Sequence, residues 1–174
     1  MDIIVIDRLI VRPMAQTDLD DFYEYISDPR AVAFEPYDVM DYKEAQDNLA
    51  QRIESGDCFA IEERESGKMI GHIYFGKGEC EYCYEIGYIL NPKYWRRGYA
   101  YEAASAVCRE AFCEGAHRIE ADCDPENTAS WRLLEKLGFI REGFLTKDVF
   151  FRRDEDGNPI WKNTYIYSLL NPEN

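Results

Sequence analysis

Positive charge is scarce in this sequence. Its 174 residues include 20 lysines and arginines against 34 aspartates and glutamates, so the net charge is -14 at pH 7 and the isoelectric point is near 4.6. Proteins that bind nucleic acid usually present a basic face to the phosphate backbone, and the composition therefore argues against a nucleic-acid partner. An acidic surface suits a cationic or amine ligand, although many soluble proteins are acidic for solubility alone.

Long apolar runs are absent as well. No segment approaches the roughly 20 apolar residues of a membrane-spanning helix, and the N-terminus lacks the basic-then-apolar pattern of a secretory signal. We therefore expect a cytoplasmic protein without a membrane partner. A length of 174 residues and a hydrophobic content of 46% predict one domain over residues 1–174, large enough to bury a core.

Histidine, a common metal ligand, is scarce. The chain has two histidines and six cysteines. Cys80 and Cys83 form a Cys-x-x-Cys pair, but no second close pair completes a tetrahedral zinc site, so no metal is predicted. Without a secretory signal, the thiols are expected to be reduced. His72 and His117 are interpreted as structural because no motif gives either one a role, and any role of the cysteines is left open.

Hydrophobic periodicity and turn signals predict an alternation of strands and helices. The predicted order is a strand at residues 3–13, helices at 17–27 and 41–54, strands at 58–63, 69–75 and 80–90, a helix at 98–114, a strand at 118–122, a helix at 127–137, and strands at 139–151 and 165–170. Hairpin-linked strands followed by a strand–helix–strand crossover indicate a mixed-sheet α/β (α+β) fold rather than a doubly wound parallel sheet.

The most informative segment runs from Pro92 to Ala100. It follows an apolar run, carries Lys93, Arg96 and Arg97, and opens a predicted helix at Gly98. Exposed N–H groups at a helix start, with the positive end of the helix dipole behind them, form an anion site. Cations there oppose the dipole unless an anion is bound. The segment therefore predicts a phosphate-bearing ligand, with a solvated basic surface as the alternative.

Three further segments carry a family resemblance. Asp7-Arg8-Leu9-Ile10-Val11-Arg12-Pro13 opens the chain, Glu85-Ile86-Gly87-Tyr88 precedes Tyr94-Trp95, and the block from Asn127 to Phe139 reads NTASWRLLEKLGF. In this order, and with the predicted elements, nearly the whole chain resembles the GCN5-related N-acetyltransferases (GNAT), most closely the branch that acetylates N-termini of ribosomal proteins. The resemblance implies about seven mainly antiparallel strands, four helices and a splayed central strand pair.

The resemblance also implies an acetyl-CoA site, with acetyl-CoA as co-substrate. The family's loop, Gln or Arg followed by x-x-Gly-x-Gly/Ala, falls on residues 95–100, and its backbone amides hold the CoA pyrophosphate. Trp95 departs from the usual Gln or Arg, but main-chain donors do not depend on that side chain. In the family the pantetheine arm lies beside the preceding strand as an extra strand would. The implied cofactor-binding residues are Gly87, Tyr88, Ile89, Trp95, Arg96, Arg97, Gly98, Tyr99, Ala100 and Asn127.

The implied reaction is direct transfer of the acetyl group from the thioester to a primary amine, which requires a proton acceptor. Glu85 is the candidate base because it shares a strand face with Gly87 and Ile89, where the thioester is expected. Asp148 is a weaker rival. A backbone N–H near Ile89 would bind the tetrahedral oxyanion.

The candidate proton donor to the leaving thiolate is Ser130, by resemblance, with Tyr165 and Tyr167 as alternatives. Asn127 and Ser130 suit a helix cap or first turn equally well, and in the family Asn127 also lies near the pantetheine. Both interpretations stay open for these two residues.

The acceptor amine is not fixed by the sequence, and a peptide N-terminus, a polyamine and an aminoglycoside all remain candidates. Acidic and aromatic residues between the first two helices are predicted to face it or to pack, namely Glu35, Asp38 and Asp41, with Phe34, Tyr37 and Tyr42. A non-catalytic acyl-CoA-binding module and a nucleotide-binding protein are the alternative functions; the absence of a Gly-Lys-Ser/Thr loop counts against the second. Monomer and homodimer are both open.

Overall fold

The computed structural model describes residues 2–172, which form one eight-stranded sheet with helices on both faces. The strands are β1 (Ile4–Val5), β2 (Leu9–Pro13), β3 (Cys58–Glu63), β4 (Lys68–Lys77), β5 (Cys83–Leu90), β6 (Arg118–Cys123), β7 (Ile140–Arg153) and β8 (Pro159–Leu170). The sheet order is β1-β2-β3-β4-β5-β6-β8-β7. Among the described strands, only β5 and β6 are parallel neighbours. The helix between them carries the chain back to the end of the sheet at which β5 begins, so β6 runs in the same direction. The mixed α/β fold class is therefore confirmed.

The four α-helices are α1 (Leu19–Ile26), α2 (Tyr42–Ser55), α3 (Tyr99–Cys113) and α4 (Thr128–Leu137), with 3-10 turns at Gln16–Asp18 and Pro92–Tyr94. Their ends lie close to the predicted ones because local residues encode them. The Asp41 side chain accepts a hydrogen bond from the amide of Glu44, and Gly56 ends α2 in the left-handed conformation at φ 71°.

Two cores lie on opposite faces of the sheet. Successive residues of β3 divide between them: Phe59 and Ile61 pack with α3 and α4, whereas Cys58 and Ala60 pack with α1 and α2. The alternation follows from strand geometry, in which neighbouring side chains point to opposite faces. The face covered by α1 and α2 also carries Glu85, so this face determines the surroundings of the candidate base.

The opening strand differs from its prediction. Residues 3–13 form two short antiparallel strands, with Ile4 opposite Val11, rather than one long strand. The amide of Ile6 donates to the carbonyl of Leu9 at 3.0 Å and closes the turn at residues 7–8. This turn lacks the Gly or Asn that marks tight hairpins, so the sequence pattern did not reveal it. The sheet consequently has one strand more than the seven expected.

The cysteines of the Cys-x-x-Cys pair also differ from expectation. Cys80 and Cys83 are disulfide-bonded, with their Cα atoms 5.2 Å apart, so the prediction of reduced thiols is wrong for this pair. The reason is conformational. Cys80 lies in the turn before β5 instead of in the strand predicted from residue 80, and the two side chains therefore converge. Cys58, Cys108, Cys113 and Cys123 are free thiols.

No helix within residues 2–172 combines the length and the apolar character needed to span a bilayer. Over the same range, His, Cys, Asp and Glu side chains do not gather in threes as a metal site would require.

Candidate active site

The central feature of the site is a gap between β5 and β6. These strands are neighbours over three residue pairs only, from Cys83 opposite Arg118 to Glu85 opposite Glu120. Beyond Glu85, β5 stays paired with β4 while β6 pairs with β8, so the two strands diverge. Within the described part of the chain, residues 86–90 of β5 therefore have no strand partner on the β6 side. This is the splayed pair that the resemblance implied, and an extended ligand can pair with such an edge.

The basic loop lies at the far end of this edge. Arg96 and Gly98 both adopt left-handed backbone conformations, at φ 63° and 83°, and α3 begins at the next residue. A non-glycine residue held in this region costs roughly 1–3 kcal/mol and commonly marks a functional turn. Left-handed residues within a turn direct successive amides to one side and create a concave anion site, which the dipole of α3 reinforces. The side chains of Arg96 and Arg97 are exposed beside it.

Two side chains of the loop are occupied in holding its shape. The Trp95 indole donates to the carbonyl of Leu90 at 2.8 Å and so fastens the loop to the end of β5. The buried Tyr99 donates its hydroxyl to Glu63 at 2.6 Å. The Tyr99 hydroxyl is thus already engaged and Ala100 has no polar side chain, so the polar groups that these two residues leave available are those of the main chain.

Arg8 supports the loop from outside, a role that residue-by-residue reasoning missed. Its Nη1 donates to the carbonyl of Arg97 at 3.1 Å, and its Nε donates to Glu102 of α3 at 2.7 Å. The guanidinium also lies 4.4 Å from the Tyr99 ring centroid. The segment 7–13 that carried the family resemblance was the available signal.

On the other side of the gap, α4 contributes Asn127 and Ser130. The side chain of Asn127 accepts a hydrogen bond from the amide of Ser130 at 3.1 Å and therefore acts as the helix cap. The Tyr88 hydroxyl donates to the carbonyl of Ser130 at 3.1 Å and lies 3.2 Å from its Oγ. Burial raises the pKa of Tyr88, so this phenol is neutral. The Tyr88–Ser130 contact joins β5 to α4 across the gap.

The alternative proton donors lie in different surroundings. Tyr167 is fully buried and donates its hydroxyl to Glu135 at 3.1 Å; burial and then Glu135 raise its pKa to about 12. Tyr165 is half-buried beside Phe144 and under the Arg141 guanidinium. Ser130 is thus the predicted donor that contacts a residue of the β5 edge.

Glu85 is exposed on the opposite face of β5. Its surroundings remove part of its hydration, and this desolvation raises its pKa, with further contributions from the negative charges of Asp122 and then Glu120. Glu120 is partly neutralised by Arg118 at 2.8 Å. The rival base Asp148 accepts a hydrogen bond from Thr164 at 3.1 Å and lies near Asp122. Glu85 and Glu120 are thus the two carboxylates at the point where β5 and β6 part, and Glu85 is the one that β5 carries.

Residues 27–41, between α1 and α2, pack on this face of the sheet and form a wall beside the site. Arg152 of β7 reaches it, donating to Asp38 at 2.7 Å and to the carbonyls of Val32, Ala33 and Tyr37 at 3.2–3.3 Å. Sequence reasoning missed Arg152, because no local pattern signals a contact between segments so far apart in the chain.

Other predicted acceptor residues have structural partners. Asp41 caps α2, and the Tyr42 hydroxyl donates to Asp20 at 2.8 Å. Burial raises the pKa of Glu35, which lies beside Tyr37. Phe34 remains exposed. Among the predicted residues of this segment, Phe34 and Glu35 take part in none of the α2 cap, the Tyr42–Asp20 hydrogen bond and the Arg152 contact.

The two predicted structural histidines differ in environment. His72 is buried between the Tyr25 hydroxyl at 2.8 Å and Arg52 at 3.1 Å, and burial lowers its pKa well below the ordinary value. His117 is exposed.

The sequence and the fold both have close counterparts. The pattern of the acetyltransferase (GNAT) domain matches residues 8–140. The chain is 36% identical to the uncharacterized N-acetyltransferase YnaD of Bacillus subtilis (strain 168) over 168 residues, which cover 95% of each protein. It is also similar to the crystal structure of a GNAT-family acetyltransferase from Bacillus anthracis, with a TM-score of 0.88 and 35% identity over 97% of this chain and 98% of that one.

A third counterpart shares the fold at lower identity. The ribosomal-protein-S5-alanine acetyltransferase from Vibrio fischeri superimposes with a TM-score of 0.79 and 21% identity, over 98% of this chain and 97% of that one. The domain match covers most of the chain, and the B. subtilis relative aligns along nearly all of it. The resemblance found in the sequence is thereby confirmed, and the chain belongs to the GNAT family of acetyltransferases.

Proposed function

We propose that this chain is an N-acetyltransferase that moves the acetyl group of acetyl-CoA onto a primary amine. The proposal rests on one arrangement: the left-handed turn at Arg96 and Gly98, the unpaired edge of residues 86–90, and Glu85 follow one another along a single path. Acetyl-CoA supplies a diphosphate, an extended amide-bearing arm and an activated acyl carbon. The chemistry of the turn, the edge and the carboxylate fits these three parts.

Each group of the chain then has one task. The main-chain amides of residues 96–100 bind the diphosphate, and Arg96 and Arg97 add charge-assisted hydrogen bonds. The unpaired main chain of Gly87, Tyr88 and Ile89 orients the arm. Glu85 accepts the proton that the amine must lose to become a nucleophile. Ser130, in contact with the Tyr88 hydroxyl, donates a proton to the departing sulfur.

The carboxylates near Glu85 support a cationic acceptor. Glu85, Asp122 and Asp148 have no ion-pair partner among residues 2–172. Their negative charge attracts an ammonium group before it is deprotonated. An α-amine, with an ordinary pKa of about 7.7–8.0, loses its proton far more readily than a lysine near 10.4. We therefore propose that the acceptor is a peptide N-terminus or a small-molecule amine of similar basicity.

Two measurements on the wild-type chain test the proposal. Isothermal titration measures acetyl-CoA binding, and thiol release measures transfer to peptide N-termini, polyamines and aminoglycosides. Binding with release that depends on the amine supports the enzyme. Binding without release on any amine supports the non-catalytic acyl-CoA module instead. Absence of binding at saturating acetyl-CoA overturns the assignment of the turn at Gly98.

A further inference from the structure

Tyr74 occupies an unusual place on the face of β4 that α1 and α2 cover. Tyr74 and Gly76 are two residues apart, so both lie on the face that carries Glu85, and Gly76 is directly opposite Glu85 in the β4–β5 pairing. A Cβ built on Gly76 would overlap the Tyr74 hydroxyl and Cζ. The phenol therefore extends along the strand, and its hydroxyl fills the space that a side chain at position 76 would take.

This placement brings the hydroxyl next to Glu85. Side chains directly opposite each other in antiparallel strands have their Cβ atoms about 4.5–5.5 Å apart. The Tyr74 hydroxyl lies 2.3 Å from the Cβ position of residue 76, so it borders the same space as the Glu85 side chain opposite that residue. Burial and then the Glu85 charge raise the pKa of Tyr74, which keeps the phenol neutral.

Neither group is engaged by the protein. Within residues 2–172, the Tyr74 hydroxyl and the Glu85 carboxylate form no hydrogen bond to each other or to any other protein group. Two oxygen atoms thus border the same space from adjacent strands, at the position where β5 and β6 part. A half-buried phenol without a hydrogen-bond partner needs one from solvent or from a ligand.

We infer that Tyr74 binds the acceptor amine, an inference that rests on the proposed function. The Tyr74 hydroxyl accepts one N–H of the primary amine, and Glu85 takes the proton that the nitrogen loses. In the transfer the nitrogen forms a bond to the acyl carbon, the C–S bond breaks, and the electron pair leaves on sulfur, which then takes up a proton. Gly76 is the residue that makes room for this hydroxyl.

The arrangement also sets a preference among amines. A nitrogen held between two oxygen acceptors must offer an N–H to each of them. A primary amine retains an N–H for Tyr74 after giving a proton to Glu85. A tertiary ammonium has a single N–H, so none is left for Tyr74 once that proton goes to Glu85. Tyr74 thus disfavours tertiary amines beyond what negative charge alone provides.

The test compares Tyr74→Phe with Tyr84→Phe. Tyr84 lies on the same pair of strands but faces the other side of the sheet, stacked on Phe75 at 5.0 Å, so its variant is the matched control. The probe is alaninamide or spermidine, whichever the wild type acetylates faster, and alaninamide if neither is acetylated. Calorimetry measures its dissociation constant without acetyl-CoA, and steady-state kinetics measure KM for each substrate.

We expect Tyr74→Phe to raise the dissociation constant and KM of the amine about tenfold, as for the loss of one hydrogen bond. In Tyr74→Phe, KM for acetyl-CoA stays within about twofold of the wild-type value. In Tyr84→Phe, the amine dissociation constant and both KM values stay within about twofold of wild type. Gly76→Ala displaces the Tyr74 hydroxyl and therefore weakens amine binding as much as Tyr74→Phe does. A dimethylated probe binds wild type and Tyr74→Phe equally.

The outcomes separate the two proposals. Equal amine binding by wild type and Tyr74→Phe overturns the role of Tyr74, even in an active enzyme. If the wild type binds the amine but transfers nothing, and Tyr74→Phe binds the amine more weakly, the role of Tyr74 in binding is upheld and the proposed function is overturned. A wild type that binds neither probe overturns the role of Tyr74 as well.

Discussion

Glu85 and Glu120 form the last residue pair in which β5 and β6 are neighbours in the sheet. Two carboxylates therefore face each other where the strands part, and Asp122 adds a third negative charge on the same face. Desolvation, then Asp122, then Glu120 raise the pKa of Glu85. Like charges disfavour a second ionisation, so these neighbours make Glu85 a stronger proton acceptor than an isolated glutamate.

The first prediction concerns the pH dependence of transfer. Glu85 must be ionised to accept a proton, so kcat/KM falls as the pH drops through its pKa. Asp122→Asn removes a repulsive charge, lowers that pKa and shifts the acid limb of the pH–rate profile to lower pH. Glu120→Gln shifts it less, because Arg118 already neutralises part of that charge.

Two variants check this assignment. Asp156→Asn, in the distant turn between β7 and β8, leaves the limb in place and controls for the change in net charge. Glu85→Gln removes the base and lowers kcat/KM by about 100-fold. If the acid limb of the pH–rate profile is unchanged in Glu85→Gln, a group other than Glu85 titrates there.

The second prediction separates stability from ligand binding in the basic loop. Arg96 holds a left-handed conformation that glycine adopts without strain, so Arg96→Gly raises the free energy of unfolding by about 0.5–1 kcal/mol. The same change weakens CoA binding, because it removes a cation and loosens the turn. Chemical denaturation and calorimetry with CoA measure the two effects. A variant that loses both stability and affinity would contradict the strained-turn interpretation.

Gly98→Ala is the complementary variant. A Cβ at this position meets Arg8 Nη2 at 3.5 Å, an ordinary contact, so the cost arises from the φ of 83° rather than from a clash. We expect a loss of about 1–2 kcal/mol in stability. Opposite changes in stability at two neighbouring positions would identify backbone conformation as their common cause.

The sequence predicted those structural features around the candidate site that local patterns encode. The turn at residues 95–100 follows from its glycine, its cations and the helix start after it, and α2 follows from Asp41 and Gly56. The position of Glu85 on the same strand face as Gly87 and Ile89 was predicted because successive residues of a strand alternate between its two faces. These features require only knowledge of neighbours along the chain.

The remaining features depend on strand register and long-range packing. Tyr74 meets Glu85 because Gly76 pairs with Glu85 and leaves space for a hydroxyl, and the sequence does not reveal that pairing. The hairpin of β1 and β2 turns on Asp7 and Arg8, which lack a turn signature. Arg152 contacts a segment more than one hundred residues earlier in the chain. Such contacts arise from the three-dimensional arrangement of elements that are individually ordinary.

The third prediction concerns the stability of the core beside α1 and α2. Arg52 can only donate, so Nε2 of His72 accepts its hydrogen bond and Nδ1–H donates to the Tyr25 hydroxyl. Protonation of His72 would place a proton against the guanidinium. Burial and Arg52 lower the pKa of His72 well below its value of about 6.5 in the unfolded chain.

The sign follows from proton uptake. Below pH about 6.5 the unfolded state binds a proton that the folded state does not, so stability falls as pH decreases, by up to about 1.4 kcal/mol per unit from this group. His72→Gln is less stable than wild type at pH 7.5, and the difference narrows at pH 5.5. Urea denaturation measures it. His117→Gln, at an exposed position, provides the control. If the difference in unfolding free energy between wild type and His72→Gln is the same at both pH values, a buried neutral imidazole at His72 is excluded.

The fourth prediction concerns the wall built by Arg152. Its planar guanidinium donates to Asp38 and to three backbone carbonyls of the segment between α1 and α2, a pattern that the single ammonium of lysine cannot reproduce. Arg152→Lys therefore keeps the charge but releases the wall. We expect faster hydrogen exchange of the amides at residues 32–38 and a KM for the amine raised about fivefold. KM for acetyl-CoA stays unchanged, because the wall packs on the sheet face that carries Glu85, where the amine is proposed to bind. The cost in global stability stays below about 1 kcal/mol, since the ion pair is partly exposed.

Arg153→Lys is the matched control. The Arg153 guanidinium donates to the carbonyl of Gly157 within its own hairpin, so this variant changes neither measurement. If Arg152→Lys speeds exchange at residues 32–38 without altering the amine KM, the wall is mobile in the variant yet does not contact the acceptor, and the amine must then be held by the sheet residues alone.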